Sequence, residues 1–290
     1  MTALMRPPRT LLHRTGALAF SERTLVMGVV NVTPDSFSDG GVHLDPEAAL
    51  AGALRMAVEG ADLLDLGAES TRPGHAPIPA EEEWARLEPV LARLRDRAMP
   101  PLSVDTSKAW VAERAVAAGA SLINDVWGFR RDPDLGRVAA ATGAAVILMH
   151  NREAVDAALD IAAELVDALS RSAETALRAG VAAERIVLDP GLGFGKTLDQ
   201  NYQALAALPR LAALGFPVLV GASRKSMIAR LFAPEPPPAE RLPGTLGIHT
   251  AAVLNGARIV RAHDVAAHVQ AMRVADRLLA AAQATSGGPG

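Results

Sequence analysis

Short apolar runs alternate with amphipathic stretches along almost the whole chain. A polar corner follows each run, and after it comes an Ala- and Leu-rich stretch whose apolar residues recur every three or four positions. This alternation is typical of strands followed by helices that cover a parallel sheet. We predict eight strands: Leu25–Val30, Asp62–Leu66, Leu102–Asp105, Leu122–Asp125, Ala145–Met149, Ile186–Asp189, Val218–Gly221 and Arg258–Arg261.

Eight strand–helix units favour a closed barrel over an open, doubly wound sheet. The corner after the first strand, Asn31–Asp35, also lacks the glycines of a dinucleotide-binding turn. We therefore predict an α/β protein with one (β/α)8 TIM-barrel domain over residues 25–283, a leader at 1–24 that packs on the barrel, and a disordered tail at 284–290. The predicted helices include Pro46–Glu59, Glu81–Arg97, Ala109–Ala118, Ile161–Ala179, Asn201–Leu214, Leu246–Leu254 and Val265–Ala281.

Composition narrows the possible partners. The 290 residues are 50% apolar and 21% charged, with a net charge of −3, which is typical of a folded globular chain. Only 3% are aromatic, so the interleaved basic and aromatic residues of a single-strand nucleic-acid binder are missing. No apolar run approaches the roughly 20 residues that span a bilayer, and Pro7 and Pro8 interrupt any signal peptide. We expect a cytoplasmic protein that binds neither nucleic acid nor membrane.

Polar residues follow every predicted strand. In a barrel, the carboxyl ends of the strands converge on one mouth, where catalytic residues of this fold lie. Any one such residue could equally be a helix cap or a turn residue, but eight polar strand ends at one rim are hard to explain as caps. The residues at these ends include Asn31, Asp35, Asp65, Glu69, Ser70, Thr71, Arg72, Asp105, Ser107, Lys108, Asn124, Asp125, Met149, His150, Asp189, Ser223, Arg224, Lys225, Arg261 and His263.

Charges of both signs are expected at this rim. The loop Ser70–Gly74, the helix start at Ser223–Ser226 and Arg261 supply groups that favour phosphate. Asp105 and Asp189 supply carboxylates that can accept hydrogen bonds from a nitrogen heterocycle or stabilise a cation.

The segment Pro190–Thr197 ends like a phosphate-binding loop of nucleotide hydrolases. Pro190 stands where that motif requires its first glycine, so we reject this interpretation. Its glycines instead predict a close approach of the backbone to a flat ligand, with Phe194 as an apolar wall.

Seven segments, in order along the chain, carry a family resemblance. They are Met27–Gly41, Asp65–Gly74, Ser103–Lys108, Ile123–Val126, Asp189–Lys196, Gly221–Ser226 and Arg261–Val265. In these segments the chain resembles the dihydropteroate synthases, which are pterin-binding barrel enzymes of folate biosynthesis. The chain departs from the family pattern at Trp127 and at Asn151–Glu153, so we expect the loop contacts near the fifth strand to differ from those of the family.

The resemblance implies a transferase that condenses dihydropterin diphosphate with para-aminobenzoate, giving 7,8-dihydropteroate and pyrophosphate with the help of Mg²⁺. It also implies a homodimer that binds sulfonamide-type analogues. The residues that it makes catalytic are Asp105, Lys225, Arg261, Asp35 and Arg72. Its other substrate-binding residues are Asn124 and Asp189 for the pterin, Asn31 and His263 for the diphosphate, Phe37, Pro73, Phe194 and Ser223 for the aminobenzoate, and Thr71, Gly221 and Met149. Asn31 would also bind the Mg²⁺ ion.

This chemistry agrees with the charges predicted at the rim. Departure of pyrophosphate from a methylene on the electron-rich pterin creates a cationic carbon, which carboxylates stabilise while basic groups stabilise the leaving group. Three alternatives remain. A methyltetrahydrofolate-dependent methyltransferase would not need the Ser70–Gly74 loop, a non-catalytic pterin-binding homologue would keep the slot without turnover, and a sugar-isomerase-like phosphate-binding barrel would leave the pterin residues unexplained.

Overall fold

A closed barrel of eight parallel strands forms the body of the protein. The computed structural model describes residues 10–20, 23–32, 46–70 and 76–286. The strands within these residues are β1 Thr10–His13, β2 Gly16–Ala19, β3 Leu25–Asn31, β4 Leu63–Gly67, β5 Leu102–Asp105, β6 Leu122–Asp125, β7 Ala145–Met149, β8 Ile186–Asp189, β9 Val218–Val220 and β10 Ala257–Ala262. Neighbouring strands pair in the order β10-β3-β4-β5-β6-β7-β8-β9, and β9 pairs with β10 to close the barrel. The predicted (β/α)8 fold is confirmed.

The barrel strands follow the apolar runs of the sequence. Every residue of β4, β7 and β8 is buried, as expected for parallel strands that are covered on both faces. Four of the eight predicted strands have the observed bounds, and the other four differ by at most one residue at an end.

Helices cover the outside of the barrel. They are α1 Pro46–Val58, α2 Ala80–Leu94, α3 Ala109–Ala117, α4 Asp134–Thr142, α5 Ile161–Arg178, α6 Leu198–Ala206, α7 Leu208–Ala212, α8 Ser226–Ala229, α9 Leu242–Leu254 and α10 Val265–Ser286. The single helix predicted over Asn201–Leu214 is wrong. A capping box between Thr197 and Gln200 starts α6 earlier, and α7 begins anew with Pro209 in its first turn.

The hairpin of β1 and β2 closes the lower end of the barrel, where the strands have their amino ends. Leu11 and Phe20 are buried in one cluster with Met27, Leu63 and other inward residues of the barrel strands. The hydroxyl of Thr15 lies 2.9 Å from that of Ser121, which adds a polar contact. Part of the predicted leader therefore packs on the barrel, whereas 1–9 and 21–22 lie outside the described residues.

The hairpin should stabilise the barrel without taking part in chemistry. Leu11 is fully buried, so we expect Leu11→Ala to lower the free energy of unfolding by about 2–5 kcal/mol through the cavity that it leaves. Urea unfolding followed by circular dichroism would measure this loss. Because Leu11 is at the far end of the barrel from the strand ends, kcat should stay within about twofold of wild type; a large loss of kcat in folded protein would contradict this prediction.

The last helix, α10, is hydrogen-bonded to the residue that precedes the first barrel strand, β3. Asp276 on α10 accepts hydrogen bonds from the backbone N–H of Thr24 at 2.9 Å and from its hydroxyl at 2.7 Å. Helix α10 reaches Ser286, so it enters the segment 284–290 that was predicted to be disordered; 287–290 lie outside the described residues. Among the helices that the structure describes, none has the length and apolar character needed to span a membrane.

Candidate active site

A pocket opens at the carboxyl ends of the barrel strands. Eight of the residues that line it were predicted as site residues, and Val126 is the additional one. The lining residues are Asp105, Asn124, Val126, Met149, Asp189, Phe194, Gly221, Lys225 and Arg261. They come from five different strands and from three loops that follow strands, so the closure of the barrel is what brings them together.

A network of carboxylates and one guanidinium forms one side of the pocket. Arg261 on β10 donates from Nε to Asp65 at 2.7 Å and from Nη2 to Asp105 at 3.1 Å. Asn124 donates from Nδ2 to the same Asp65 oxygen at 2.9 Å. Asp65 is fully buried in β4, and it orients both Asn124 and Arg261. Sequence reasoning placed Asp65 at the rim but gave it no role, although an aspartate inside an apolar strand was a usable signal.

Burial makes the ionised forms of these side chains less favourable. It raises the pKa of Asp105 above the usual aspartate value, the charge of Asp65 raises it further, and Arg261 opposes both effects. Burial also raises the pKa of Asp189, against a hydrogen bond from the backbone N–H of Gly191 and the charge of Lys225. Burial works against the Arg261 guanidinium, but Asp65 and Asp105 outweigh it and raise its pKa. The pocket therefore favours a ligand that brings hydrogen-bond donors or positive charge.

Unpartnered acceptors point the same way. Within the part of the chain that the structure describes, the buried Oδ1 atoms of Asp65, Asp105 and Asn124 have no hydrogen-bond partner. A buried acceptor left without a donor costs about 1–3 kcal/mol, so a ligand with several N–H groups would gain by meeting those of Asp105 and Asn124, which line the pocket.

Lys225 and Phe194 form the opposite side of the pocket. The Lys225 ammonium lies 4.5 Å from the centre of the Phe194 ring and donates to the carbonyl oxygen of Leu192. Burial lowers the pKa of Lys225 to about 8, while the charge of Asp189 acts to raise it. The site thus places a cation against an aromatic face, beside a carboxylate.

Ser223 and His263 join the ends of β9 and β10. The backbone N–H of His263 donates to Ser223 Oγ at 3.1 Å, and that Oγ lies 2.9 Å from His263 Nδ1. Arg224, by contrast, forms an ion pair with Asp264, donating from Nε at 3.0 Å and from Nη2 at 2.5 Å. The positive charge predicted for an anion at this loop therefore comes from Lys225 and Arg261 rather than from Arg224.

The remaining predicted residues fall into two groups. Asn31 ends β3 at the rim with an exposed side chain. Asp35, Phe37, Thr71, Arg72 and Pro73 lie outside the described residues. Among the residues that are described, no three His, Cys, Asp or Glu side chains are grouped so that they could hold a metal ion.

The two departures from the family pattern lie beside the pocket. The Trp127 ring has the guanidinium of Arg131 3.9 Å from its centre, and Arg130 donates to the carbonyl oxygen of Asn151. Trp127 and Arg152 line a separate surface pocket, and neither lines the first one. Neither departure therefore changes a residue that lines the first pocket.

Comparisons with known proteins point to one family. The family model described as pterin binding enzyme matches residues 27–263. A relative named dihydropteroate synthase, from Clostridium beijerinckii, is 43% identical over 256 residues, which cover 88% of this chain and 94% of the relative.

Two solved structures are similar along almost the whole chain. The dihydropteroate synthase of Xanthomonas albilineans with 4-aminobenzoic acid has a TM-score of 0.84 and 46% identity, and the match covers 94% of this chain and 96% of that one. The dihydropteroate synthase of Yersinia pestis with a sulfonamide drug complex has a TM-score of 0.86 and 41% identity, covering 94% of this chain and 99% of that one.

Proposed function

The chain belongs to the dihydropteroate synthases of the pterin-binding enzyme family, and we propose that the pocket at its strand ends is where the reaction takes place. It is a transferase that condenses (7,8-dihydropterin-6-yl)methyl diphosphate with para-aminobenzoate to form 7,8-dihydropteroate and pyrophosphate in folate biosynthesis. The observation that carries the placement is the set of buried, unpartnered acceptors opposite the Lys225 ammonium. The predicted cytoplasmic location stays a prediction.

We place the pterin between these two sides of the pocket. Asp105, Asn124 and Asp189 would accept hydrogen bonds from the amino group and ring N–H groups of the pterin, while Lys225 donates to a ring acceptor. Because Nδ2 of Asn124 is held by Asp65, its Oδ1 is left to face the ligand. Arg261, at the mouth of the pocket, would stack on the pterin face and reach the diphosphate together with Asn31 and His263.

The same geometry fits the bond changes. The C–O bond to pyrophosphate breaks and leaves a cationic methylene carbon, the aniline nitrogen then forms the C–N bond to that carbon, and the amine loses its proton to solvent. The buried carboxylates of Asp105 and Asp189 would stabilise positive charge that develops on the pterin methylene, and they need no reorganisation to do so. No residue of the chain has to become covalently bound.

The second substrate would approach from the Phe194 side. We place the aminobenzoate beside the Phe194 ring, Lys225 and Ser223, and the family resemblance adds Phe37 and Pro73, with Asp35, Thr71 and Arg72 on the loops that cover both substrates. Sulfonamide-type analogues, which share the aniline ring, would bind at the same place. The aromatic ring of Phe194 and the adjacent ammonium suit an aromatic carboxylate.

A magnesium ion would fit only together with substrate. The described residues offer one side-chain oxygen at the diphosphate end of the site, on the exposed Asn31. Mg²⁺ commonly keeps several waters and binds through one or two protein ligands plus substrate phosphates, so this sparse donor set is compatible with it. When bound, the ion would neutralise charge on the departing pyrophosphate.

We also propose a homodimer, because helix α9 presents an apolar outer face. Pro243, Gly247, Ala251 and Leu254 are exposed along one side of this helix. Leu231 and Phe232 follow α8, which packs against α9, and they are 56% and 57% exposed. A face of this kind is typical of an interface between subunits.

The dimer makes a direct prediction. Ala251→Arg places a charge on the outer face of α9, where a second copy would bury it, so the mass should fall toward the 30.2 kDa of one chain. Sedimentation velocity would measure the mass. Val58→Arg, at a 90% exposed position on α1, is the matched control and should leave the dimer intact; a wild-type protein of monomer mass would overturn the dimer.

Release of pyrophosphate tests the function. Purified protein with dihydropterin diphosphate and Mg²⁺ should release pyrophosphate and form dihydropteroate when para-aminobenzoate is added. A pyrophosphate-release rate that does not depend on the aminobenzoate concentration would support formation of the cationic carbon before attack. Tight binding of the pterin without product would instead assign the chain to the non-catalytic homologues.

A further inference from the structure

Lys196 is a buried cation that does not line the pocket. Its side chain, at the end of the segment that resembles a nucleotide-binding loop, is only 6% exposed. The ammonium donates to His150 Nδ1 at 2.9 Å, to the carbonyl oxygen of Gly191 at 2.8 Å and to that of Phe194 at 3.1 Å. All three of its N–H donors are therefore used, and two of them hold the ends of the turn that carries Phe194.

The β7–α5 loop, which begins at His150, packs tightly against this turn. A Cβ atom on Gly191 would lie 1.9 Å from the carbonyl oxygen of His150, and one on Gly195 would lie 2.4 Å from Arg152 Cβ. The backbone N–H of His150 also donates to the carbonyl oxygen of Asp189 at 2.9 Å. The two loops are thus in direct backbone contact, and Lys196 is the side chain that connects them.

We propose that Lys196, together with His150, is a positioning residue for para-aminobenzoate, holding the Phe194 turn so that the Phe194 ring stays against Lys225. The inference rests on the proposed function, which places the aminobenzoate beside Phe194 and Lys225. Lys196 contacts the backbone of the turn and does not line the pocket, so it acts through Phe194 and does not touch the substrate. Its three acceptors belong to His150, Gly191 and Phe194, so its loss would act directly on the turn that carries Phe194, whereas Asp105 and Asn124 on the pterin side accept no hydrogen bond from it.

The charges around this lysine agree with that role. Burial, followed by the charge of Lys196, lowers the pKa of His150 to about 3, so the imidazole is neutral and can accept at Nδ1. Burial lowers the pKa of Lys196 itself to about 7, with Asp189 acting to raise it and Lys225, Arg152 and Arg130 acting to lower it. Glu164 lies 3.7 Å from His150 Nε2, on the other side of the ring.

Hydrogen bonds from Asn201 should keep the Phe194 turn folded when Lys196 is replaced. Asn201 accepts from the backbone N–H of Gly193 at 2.5 Å and donates to the carbonyl oxygen of Thr197 at 2.7 Å. The glycine contacts with the β7–α5 loop also remain. Lys196→Met should therefore loosen the position of Phe194 without unfolding the turn.

Steady-state kinetics with both substrates, together with calorimetric binding of the dihydropterin, test the proposal. For Lys196→Met, we expect the KM for para-aminobenzoate to rise about tenfold or more, because hydrogen bonds from a charged group are lost. The dissociation constant of the dihydropterin should stay within about twofold of wild type. His150→Asn keeps an acceptor near the position of Nδ1 and His150→Leu removes it, so the asparagine variant should show the smaller rise in KM.

Asp276→Ala is the matched control for stability. It removes the hydrogen bonds between the middle of α10 and Thr24, away from the pocket, so it should lower the unfolding midpoint while leaving both substrate parameters unchanged. An unchanged KM for aminobenzoate in Lys196→Met, or an equal loss of pterin binding, would overturn the positioning role alone. A wild-type protein that makes no dihydropteroate would overturn the proposed function and this inference together.

Discussion

Replacing Asp105 with alanine will reduce kcat/KM for dihydropterin diphosphate by about 10²- to 10³-fold. The carboxylate is buried and would accept hydrogen bonds from the pterin, and a hydrogen bond to a charged group contributes about 1.5–3 kcal/mol. Loss of charge stabilisation at the developing cation adds to this. Product formation at several concentrations of the diphosphate would measure the change.

The stability of Asp105→Ala should not follow its activity. Because the pKa of Asp105 is raised in the folded protein, ionisation of this group above its ordinary pKa of about 4 favours the unfolded state. Removing it should leave the free energy of unfolding at pH 7 no lower than in wild type, since Arg261 keeps Asp65 as a partner.

Asp125 is the matched control for Asp105, on the neighbouring strand. Its carboxylate accepts from the backbone N–H groups of Trp127 and Phe129 and does not line the pocket. Asp125→Ala should therefore lose stability with little change in pterin affinity. The reverse pattern, with Asp125→Ala losing pterin affinity and Asp105→Ala retaining it, would remove Asp105 from the site.

Lys225 should control an alkaline limb of the pH profile. With a pKa lowered to about 8, its charged fraction falls about tenfold for each further pH unit, so kcat/KM for the pterin substrate should decline above about pH 8. Lys225→Met should lower kcat/KM for the pterin substrate about 10²- to 10³-fold at pH 7, because both the hydrogen bond and the ammonium charge beside the Phe194 ring are lost. The decline that Lys225 causes above about pH 8 should be absent from this variant.

Lys225→Arg separates charge from shape in this prediction. Arginine stays protonated throughout this range, so the decline above pH 8 should disappear even if its larger head lowers the overall rate. A decline that persists in Lys225→Arg would assign the alkaline limb to another group.

The sequence predicted the barrel well because each strand is a continuous apolar run that ends at a polar corner. It did not predict the β1–β2 hairpin as strands. Thr10–His13 and Gly16–Ala19 are four residues each and carry few β-branched or aromatic side chains, so only their packing against the barrel floor makes them strands. The prediction missed the break between α6 and α7 because the apolar spacing continues through Pro209. A proline inside a helical pattern is nevertheless a signal for a break or a new helix start.

In the site, the position of residues at the carboxyl ends of strands predicted which of them face the barrel mouth, but not which of them form hydrogen bonds with one another. The link between Asp65 and Arg261 joins residues 196 positions apart, and only closure of the barrel brings them within 2.7 Å. Arg224 and Arg261 are equally basic in sequence, yet Asp264 neutralises the first while the second enters the pocket. Lys196 was set aside with the rejected nucleotide motif, since nothing in the local pattern shows that its side chain turns inward.

The backbone contact at Gly191 also limits how this enzyme can evolve. Any amino-acid replacement of a glycine adds a Cβ atom, and here that atom would overlap the carbonyl oxygen of His150. A single change at this codon thus disturbs two loops at once. Substitutions that leave the fold intact should therefore arise at side chains that face the pocket, and few of them can arise at this glycine.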